Sequence, residues 1–574
     1  MTARLDGRPE QLVTRRLPTD VIYEFFSAAA AIDPPIRNKH FSGSSRTTSP
    51  RRSNTPRECL GPDWSRLPSG PSEHEEYATL STYRLWDVPP TLGWIRYTHV
   101  CKEWRNIGLS MPGLWGDIFP IFPFAAETVL ARSREQPLSM DMDLVGFIEY
   151  PRILRPDHIR TFFDLAQQNI QRARVLTVNH RHDHFTDWDI TPALGAQLPF
   201  LEVLRFSRDR TSARASGLTL SAPALTHAIL GTFIPFSAPS LRFLQLYDLS
   251  IKLQPDVLAD VLRATPLLEE LKLGWVIPER LSVAPNEAYP PVHLPRLVAA
   301  HFEGPPLSLA FAGLLRIPLD AELKLRITKE HVGGGAILPL LDALAPHLQN
   351  PSIDRISFDP DYDVEVCLAS SSSTASTDME RTRRFFIKLS HRSTYDSTLR
   401  GPLHFLSQII RRMEAGNVTF LHAHPFAEGR RGSQTDLAYY VSQAERVLQQ
   451  LTVMTTLSLA WLPVRHQPFL SALGANKDLV ETLVVRSDDM LIAYDSPHPM
   501  SGSRTLVTAA ESVQTRWKEV VDTLERRASV GSPLKRLILG GLLGDATDPD
   551  VKQAAMVSLA SDLVDEVIDE RRCL

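Results

Sequence analysis

Hydrophobic positions near the start of the chain repeat with a helical period. Val21, Ile22, Phe25 and Phe26 fall at i, i+1, i+4 and i+5, which makes one apolar face of a short helix. Leu17-Pro18-Thr19-Asp20 opens it and Asp33-Pro34-Pro35 ends it. Proline suits a first turn, where its missing N–H costs nothing, and Asp20 sits where the helix dipole favours an anion. A second apolar run, residues 92–107, predicts a helix with Val100, Trp104 and Ile107 on one face and Lys102, Glu103, Arg105 and Asn106 on the other. Ser110-Met111-Pro112 stops it, and Leu114-Trp115 supplies two large apolar side chains just beyond. Between the two runs, residues 36–91 are rich in Ser, Pro, Gly and Arg and show no period before Tyr83. Such a segment cannot bury enough surface to offset its ordering entropy, so 36–91 reads as a disordered insertion and the polar residues 1–16 as a disordered tail.

After a connector at 119–157, a different pattern runs over 158–574. A helix-like segment leads to a Pro or polar break and then to a short L-x-x-L-x-L strand. The clearest copy has Val257, Leu258, Val261 and Leu262, a break at Thr265-Pro266, and Leu267-Leu268-Glu269-Glu270-Leu271-Lys272-Leu273. Similar strands follow Pro199, Pro239 and Pro295, and weaker copies end at Leu459, Val485 and Leu539. Leu241, Leu268 and Leu297 are equivalent, at a spacing of roughly 27 to 29 residues, which lies in the upper range of leucine-rich repeats. The expected fold is therefore α/β: a small N-terminal helical unit at 17–35 and 92–118, then an irregular solenoid with a parallel sheet on its concave side and helices outside. The alternative is an ordinary α/β domain with leucine-rich strands. Ala369 and the serines that follow it are expected to form an exposed loop.

The N-terminal residues resemble a known family. L-P-x-[DE]-[IV] with a short apolar helix, then W-I-R-x-x-H-V-C-[KR]-x-W-R-x-[IV], then P-x-L-W, is similar to the F-box-like domain of a large basidiomycete fungal family. Leu17, Pro18, Asp20, Val21, Ile22, Phe25, Phe26, Asp33, Pro34 and Pro35 carry the first part. Gly93, Trp94, Ile95, Val100, Cys101, Trp104, Arg105, Ile107, Pro112, Leu114 and Trp115 carry the rest. The likeness covers about fifty residues, split by the 36–91 stretch, where the family has a short loop. A long surface loop there costs about 0.6 kcal/mol per doubling of its length, so the domain tolerates one; a retained intron is the other explanation.

The resemblance implies a three-helix F-box for the N-terminal unit, and an adaptor. F-box helices dock on the Skp adaptor, and through it a cullin scaffold, in SCF-type ubiquitin ligases, while the rest of the chain holds a protein substrate. The residues implied at the Skp interface are Leu17, Pro18, Val21, Ile22, Phe25, Phe26, Ile95, Val100, Cys101, Trp104, Ile107, Leu114 and Trp115. Two arrangements are open for Trp104: it serves the interface, or it faces inward with Val100 and Ile107. A leucine-rich scaffold without a ligase role is the alternative function.

Composition narrows the field further. The chain has 574 residues, 43% hydrophobic, with a formal net charge of -4, so nothing in the overall balance draws it to nucleic acid or an anionic membrane. Cys59, Cys101, Cys367 and Cys573 form no C-x-x-C pair, which points to reduced intracellular thiols rather than a disulfide or zinc scaffold. With no apolar run of about 18 residues and no secretory leader, the expected location is cytoplasmic or nuclear. No cofactor, metal or catalytic residue is expected. His180, His182 and His184 alternate, but read as a polar loop, and His422 and His424 form a weaker pair. Gly333-Gly334-Gly335 lacks a nucleophile elbow, and the glycines at 540, 541 and 544 lack the Lys-Ser/Thr of a phosphate loop. Arg526-Arg527-Ala528-Ser529 and Arg51-Arg52-Ser53 have the pattern of basophilic kinase sites. Val513, Trp517, Val520 and Leu524 predict a buried helix face, as do Leu559, Leu563 and Val567.

Overall fold

The L-x-x-L-x-L segments become strands because each is preceded by a tight turn that a leucine seals. Leu225, Leu241, Leu268 and Leu297, all buried, donate their N–H groups to the carbonyls of Ala222, Ala238, Thr265 and Leu294 three residues back. The next carbonyl then accepts twice from the following repeat: Thr226 O takes Arg242 N and Phe243 N, Arg242 O takes Glu269 N and Glu270 N, and Glu269 O takes Val298 N and Ala299 N. This shared acceptor fixes the register between these neighbouring repeats.

The computed structural model describes residues 17–35, 92–142, 156–179, 196–207, 219–249, 251–278, 289–328, 337–360, 363–370, 383–390, 401–426, 434–460, 467–474, 480–487, 509–543, 557–570 and 572–573. The expectations for 1–16, 36–91, the 180–184 histidines, the 333–335 glycines and the 51–53 motif lie outside these residues. The chain divides into two compact units, Met1–Leu201 and Glu202–Leu574.

The first unit contains helices α1 (Thr19–Ile32), α2 (Lys102–Leu109), α3 (Pro112–Asp117), α4 (Ala126–Ser133) and α5 (Pro156–Gln168). Strands β1 (Leu138–Asp141) and β2 (Ala173–Asn179) pair in parallel. The expected continuous helix over 92–107 is broken. Residues Gly93–His99 form a 3-10 helix, Cys101 is extended (φ -155, ψ 174), and only then does α2 begin. Val100 therefore lies at a joint rather than on the face of Trp104 and Ile107. Pro112, read as a stop, occupies the first turn of α3, where a proline costs no hydrogen bond.

The second unit carries strands β3 (Val203–Ser207), β4 (His227–Leu230), β5 (Phe243–Tyr247), β6 (Glu270–Gly274), β7 (Ala299–Gly304) and β8 (Glu322–Ile327). They are followed by β9 (Arg355–Asp359), β10 (Asp363–Ala369), β11 (Arg383–Ser390), β12 (Phe420–Ala423), β13 (Thr456–Ala460), β14 (Thr482–Ser487), β15 (Leu534–Leu543) and β16 (Val564–Asp569). β3 to β8 pair in parallel in chain order. β8 then pairs with β11, β11 with β10, β10 with β9, and β9 with β12, so the three strands β9, β10 and β11 are inserted in reverse. β10 alone of these runs antiparallel, a departure from the all-parallel sheet expected. From β12 to β16 the order is sequential and parallel again.

Helices accompany the sheet from β6 onward, while between β3 and β5 the described residues form a short parallel pair, Leu220–Ser221 with Phe236–Ser237. Leu258, Ala259 and Leu262 of α6 (Pro255–Arg263) are buried, and α7 (Pro402–Ile410), α8 (Gln434–Gln450), α9 (Pro468–Leu473) and α10 (Ala509–Ser529) pack one against the next in chain order. Of the face expected on α10, Trp517, Val520 and Leu524 are buried, and the side chain of Val513 lies outside the described residues. Each buried leucine removes enough apolar area from water to contribute about 1.5–3 kcal/mol. Two expectations fail. Leu559 is exposed, and Val567 lies in β16, because the segment with the β-branched Val564, Val567 and Ile568 pairs with β15 instead of continuing a helix. Ala369 and Ser370 are buried at the end of β10 rather than exposed. Among the described residues no helix is long and apolar enough to cross a membrane.

Candidate partner-docking surfaces

The two apolar runs at the N-terminus, far apart in sequence, pack on one another. Asp33, which ends α1, accepts a hydrogen bond from Trp94 N at 2.9 Å, and its carboxylate pairs with Arg96 at 2.7 Å. Gly93 makes this approach possible. Its φ is +48°, and a Cβ there would lie 2.4 Å from Pro35 N and 2.5 Å from Asp33 O. Ile22, Phe26, Trp94, Ile107 and Trp115 form the interior. The Phe26 ring meets Trp94 edge-on at 6.2 Å, Trp94 meets Trp115 at 5.2 Å, and Trp115 Nε1 donates to Gly108 O at 3.0 Å.

Of the thirteen interface residues implied by the resemblance, Ile22, Phe26, Ile107 and Trp115 are thus interior and present no surface. Ile95, Trp104 and Leu114 are half-buried, and Pro18 and Cys101 are exposed. The rest are exposed, and all of them but Val100 form an apolar stripe. Leu17 is 51% exposed, Val21 43%, Phe25 39% and Val100 62%. Leu17, Val21 and Phe25 recur every fourth residue, so they line up along one side of α1 and its approach. Phe25 is supported from behind by the rings of Tyr97 at 5.1 Å and Trp104 at 5.0 Å. Exposed apolar side chains held rigid in a row are the usual makings of a protein interface.

In the second unit, the sheet face opposite the helices carries polar side chains in rows, because residues in register on parallel strands stand side by side. One row runs Arg205, Ile229, Gln245, Lys272, His301, Lys324 and contains no acid. On one side of it lie Glu270 and Glu322, which pair along their own strands with Lys272 (3.9 Å) and Lys324 (2.8 Å). On the other side Glu303 meets Arg326 at 3.4 Å, and burial raises its pKa. His301 is held neutral, its pKa pushed down to about 4, by burial first and then by Lys324, Lys272 and Arg326. Further along, β12 to β14 are buried on both faces: His422, Ser458 and Val484, in register on adjacent strands, are all interior. His422 Nδ1 lies 2.9 Å from Ser458 Oγ, and burial with His424 and Arg486 nearby lowers its pKa to about 3.

Other sequence candidates resolve into structure. His422 and His424 touch at 4.8 Å between ring centres, and among the described residues no group of three or more possible metal ligands occurs. Gly540 and Gly541 lie within β15, not in a loop. Arg527 of the kinase-like motif is 3% exposed, and its guanidinium donates to the carbonyls of Leu473, Val480 and Ser532, so it is not available for a kinase to read. A shallow polar depression is lined by Glu481, Thr482, Lys535, Arg536, Asp565 and Glu566, with Lys535 paired to Glu481 and Arg536 to Glu566.

No known family model matches the chain, and no curated protein matches it.

Proposed function

We propose that this protein is a non-catalytic adaptor that recruits a protein target to an SCF-type ubiquitin ligase in the cytoplasm or nucleus. Its N-terminal helices would grip a Skp-type adaptor, and through it a cullin scaffold, with Leu17, Val21, Phe25 and Val100 as the contact surface. The solvent face of the second unit's sheet would hold the target. The observation that carries this reading is the apolar stripe itself: three side chains at fourfold spacing, over a third exposed, on a helical unit whose aromatic interior is already complete. The F-box-like spacing of the residues beneath the stripe supports the same reading.

The test is binding of purified Skp-type adaptor to the full chain by titration calorimetry. A charge placed in the stripe, Val21→Asp, is expected to weaken binding at least about tenfold, since anchors of this kind cost roughly 2 kcal/mol or more when lost. Absence of adaptor binding by the unaltered protein, or full binding by Val21→Asp, removes the proposal.

A further inference from the structure

We propose that the open edge of β16 takes an extended segment of a protein partner as a further strand, with a lysine or arginine of that segment seated in the polar depression beside Asp565. This surface lies at the end of the sheet, and its use depends neither on the apolar stripe nor on a ligase role.

The repeat pattern leaves a place for one more strand. Thr455 O takes Glu481 N and Thr482 N, and Glu481 O takes Lys535 N and Arg536 N. Thr482, Arg536 and Glu566 are in register on β14, β15 and β16, so Asp565 stands where Glu481 and Lys535 stand on the strands before it. Among the described residues β16 pairs with β15 alone, and no strand follows to use the Asp565 carbonyl as its shared acceptor. Glu570 N donates to Leu539 O, on the β15 side. Successive residues of a strand turn their N–H and C=O groups to alternate sides, so those of Asp565, Val567 and Asp569 face the outer edge. Asp565, Glu566 and Asp569 are exposed and Val567 and Ile568 half-buried, so the strand is open to solvent.

Charge names the occupant. The depression beside this edge, about 380 Å³, has three acids in its lining, Glu481, Asp565 and Glu566, against two bases, Lys535 and Arg536. Lys535 pairs with Glu481 at 2.5 Å and Arg536 with Glu566 at 2.7 Å. Each base is thus taken by an acid, and Asp565, the outermost of the five, enters no hydrogen bond or ion pair among the described residues. Along the line Glu481–Lys535–Asp565 the sign alternates from strand to strand, and a cation at the next position continues it. Opposite charges on facing positions favour a strand pairing, and like charges oppose it. A second copy of this chain adding its own β16 sets Asp565, Glu566 and Asp569 against the same three acids, so the edge is guarded against self-pairing and left open to a basic segment. Backbone hydrogen bonds then supply affinity, and the depression selects the side chain.

The experiment uses the full chain and two fluorescent peptides of alternating valine and threonine, one with a central lysine and one with glutamate in its place. Binding is read by anisotropy at about 0.15 M salt, where surface attraction is screened beyond about 8 Å. The lysine peptide is expected to bind, and the glutamate peptide to bind about tenfold more weakly or less, a difference of roughly 1.4 kcal/mol. Val567→Pro removes an N–H that faces outward, where an edge strand tolerates proline, and is expected to abolish binding with the unfolding temperature unchanged. Asp565→Lys, at an exposed position, is expected to weaken the lysine peptide about tenfold and to strengthen the glutamate one. Should Val567→Pro unfold, Asp565→Lys still decides. Failure of the lysine peptide to bind, equal binding of the glutamate peptide, or undiminished binding of the lysine peptide to Asp565→Lys or to a folded Val567→Pro overturns the proposal. Sedimentation velocity is expected to show no self-association that Val567→Pro relieves; if it does, the edge belongs to a second copy and the proposal as stated is overturned. Skp-type adaptor binding, measured on the same samples, reports on the N-terminal reading separately.

Discussion

Phe25 and Trp104 lie with their ring centres 5.0 Å apart and tilted by 58°, so an exposed aromatic on α1 rests on a half-buried one from α2. Phe25 is thereby both surface and support. Phe25→Ala is expected to lower adaptor affinity and also to loosen the joint between the helices. Val21→Ala, which removes no ring–ring contact, is expected to lower affinity alone. Calorimetric titration alongside thermal unfolding separates the two: a shift in unfolding temperature for Phe25→Ala only is the expected result.

The interior aromatics should behave differently from the stripe. Phe26 and Trp94 are buried, and truncating either to alanine removes a large side chain from a packed site, which costs about 3–5 kcal/mol. Val100→Ala, at a 62% exposed position, should change stability by less than about 0.5 kcal/mol. Urea denaturation of the full chain, followed by tryptophan fluorescence, checks the contrast.

Gly93→Ala tests the joining of the two N-terminal segments. The added Cβ meets three backbone atoms of 33–35 within 2.6 Å, and the residue's φ of +48° disfavours any side chain. The expected outcome is early proteolytic cleavage in the 92–118 region of the variant, with the second unit's fragment unchanged.

His422 makes stability depend on pH. Its folded pKa of about 3 lies below the unfolded value of 6.5, so the unfolded chain binds more protons between the two. Stability is full above about pH 6.5 and falls as pH is lowered toward 3, with a slope of at most about 1.4 kcal/mol per pH unit. His422→Gln should flatten this part of the profile. Equilibrium urea midpoints measured from about pH 7 down to about pH 4 give the answer.

Arg527 is expected to resist conservative replacement. Its guanidinium reaches the carbonyls of Leu473, Val480 and Ser532 at once, which a planar five-donor group does and an ammonium does not. Arg527→Lys should therefore destabilise by about 2 kcal/mol or more, each hydrogen bond to a charged donor being worth roughly 1.5–3 kcal/mol. Thermal unfolding of the variant measures it.

Much of this organisation is legible in the residues, and the parts that are not have physical causes. The strands after Pro199, Pro239 and Pro295 announce themselves because leucine fills both inward positions or the turn before them. β4 has the same sealing leucine, Leu225, but its Ala228 stands only 16 residues before Leu244 of the next strand, well short of the spacing that marks the others. β9 is hidden for another reason: Ile356 and Phe358 fill the inward sites, which keeps the chemistry but loses the leucine signature. The spacing between equivalent Leu204, Ala228, Leu244, Leu271, Ala300 and Leu323 varies from 16 to 29 residues, so no single period fits. At the N-terminus, residue type and spacing mark α1 and its apolar face. They do not separate Ile22 from Val21 or Phe26 from Phe25, since neighbours on a helix differ by only about 100° and which of them faces inward is settled by Trp94 and Trp115. The basic row is invisible in sequence, because Lys272, His301 and Lys324 come together only through register.

The reversed insertion of β9, β10 and β11 limits how this chain can change length. On either side of it, strand follows strand, and losing one unit of sequence leaves its neighbours able to pair with each other. Across it, β8 is matched to β11 and β12 to β9, so removing any one of the three leaves a mismatched seam. Evolutionary shortening or lengthening of the array by whole units is therefore open before β8 and after β12, while the middle is inherited or lost as a block.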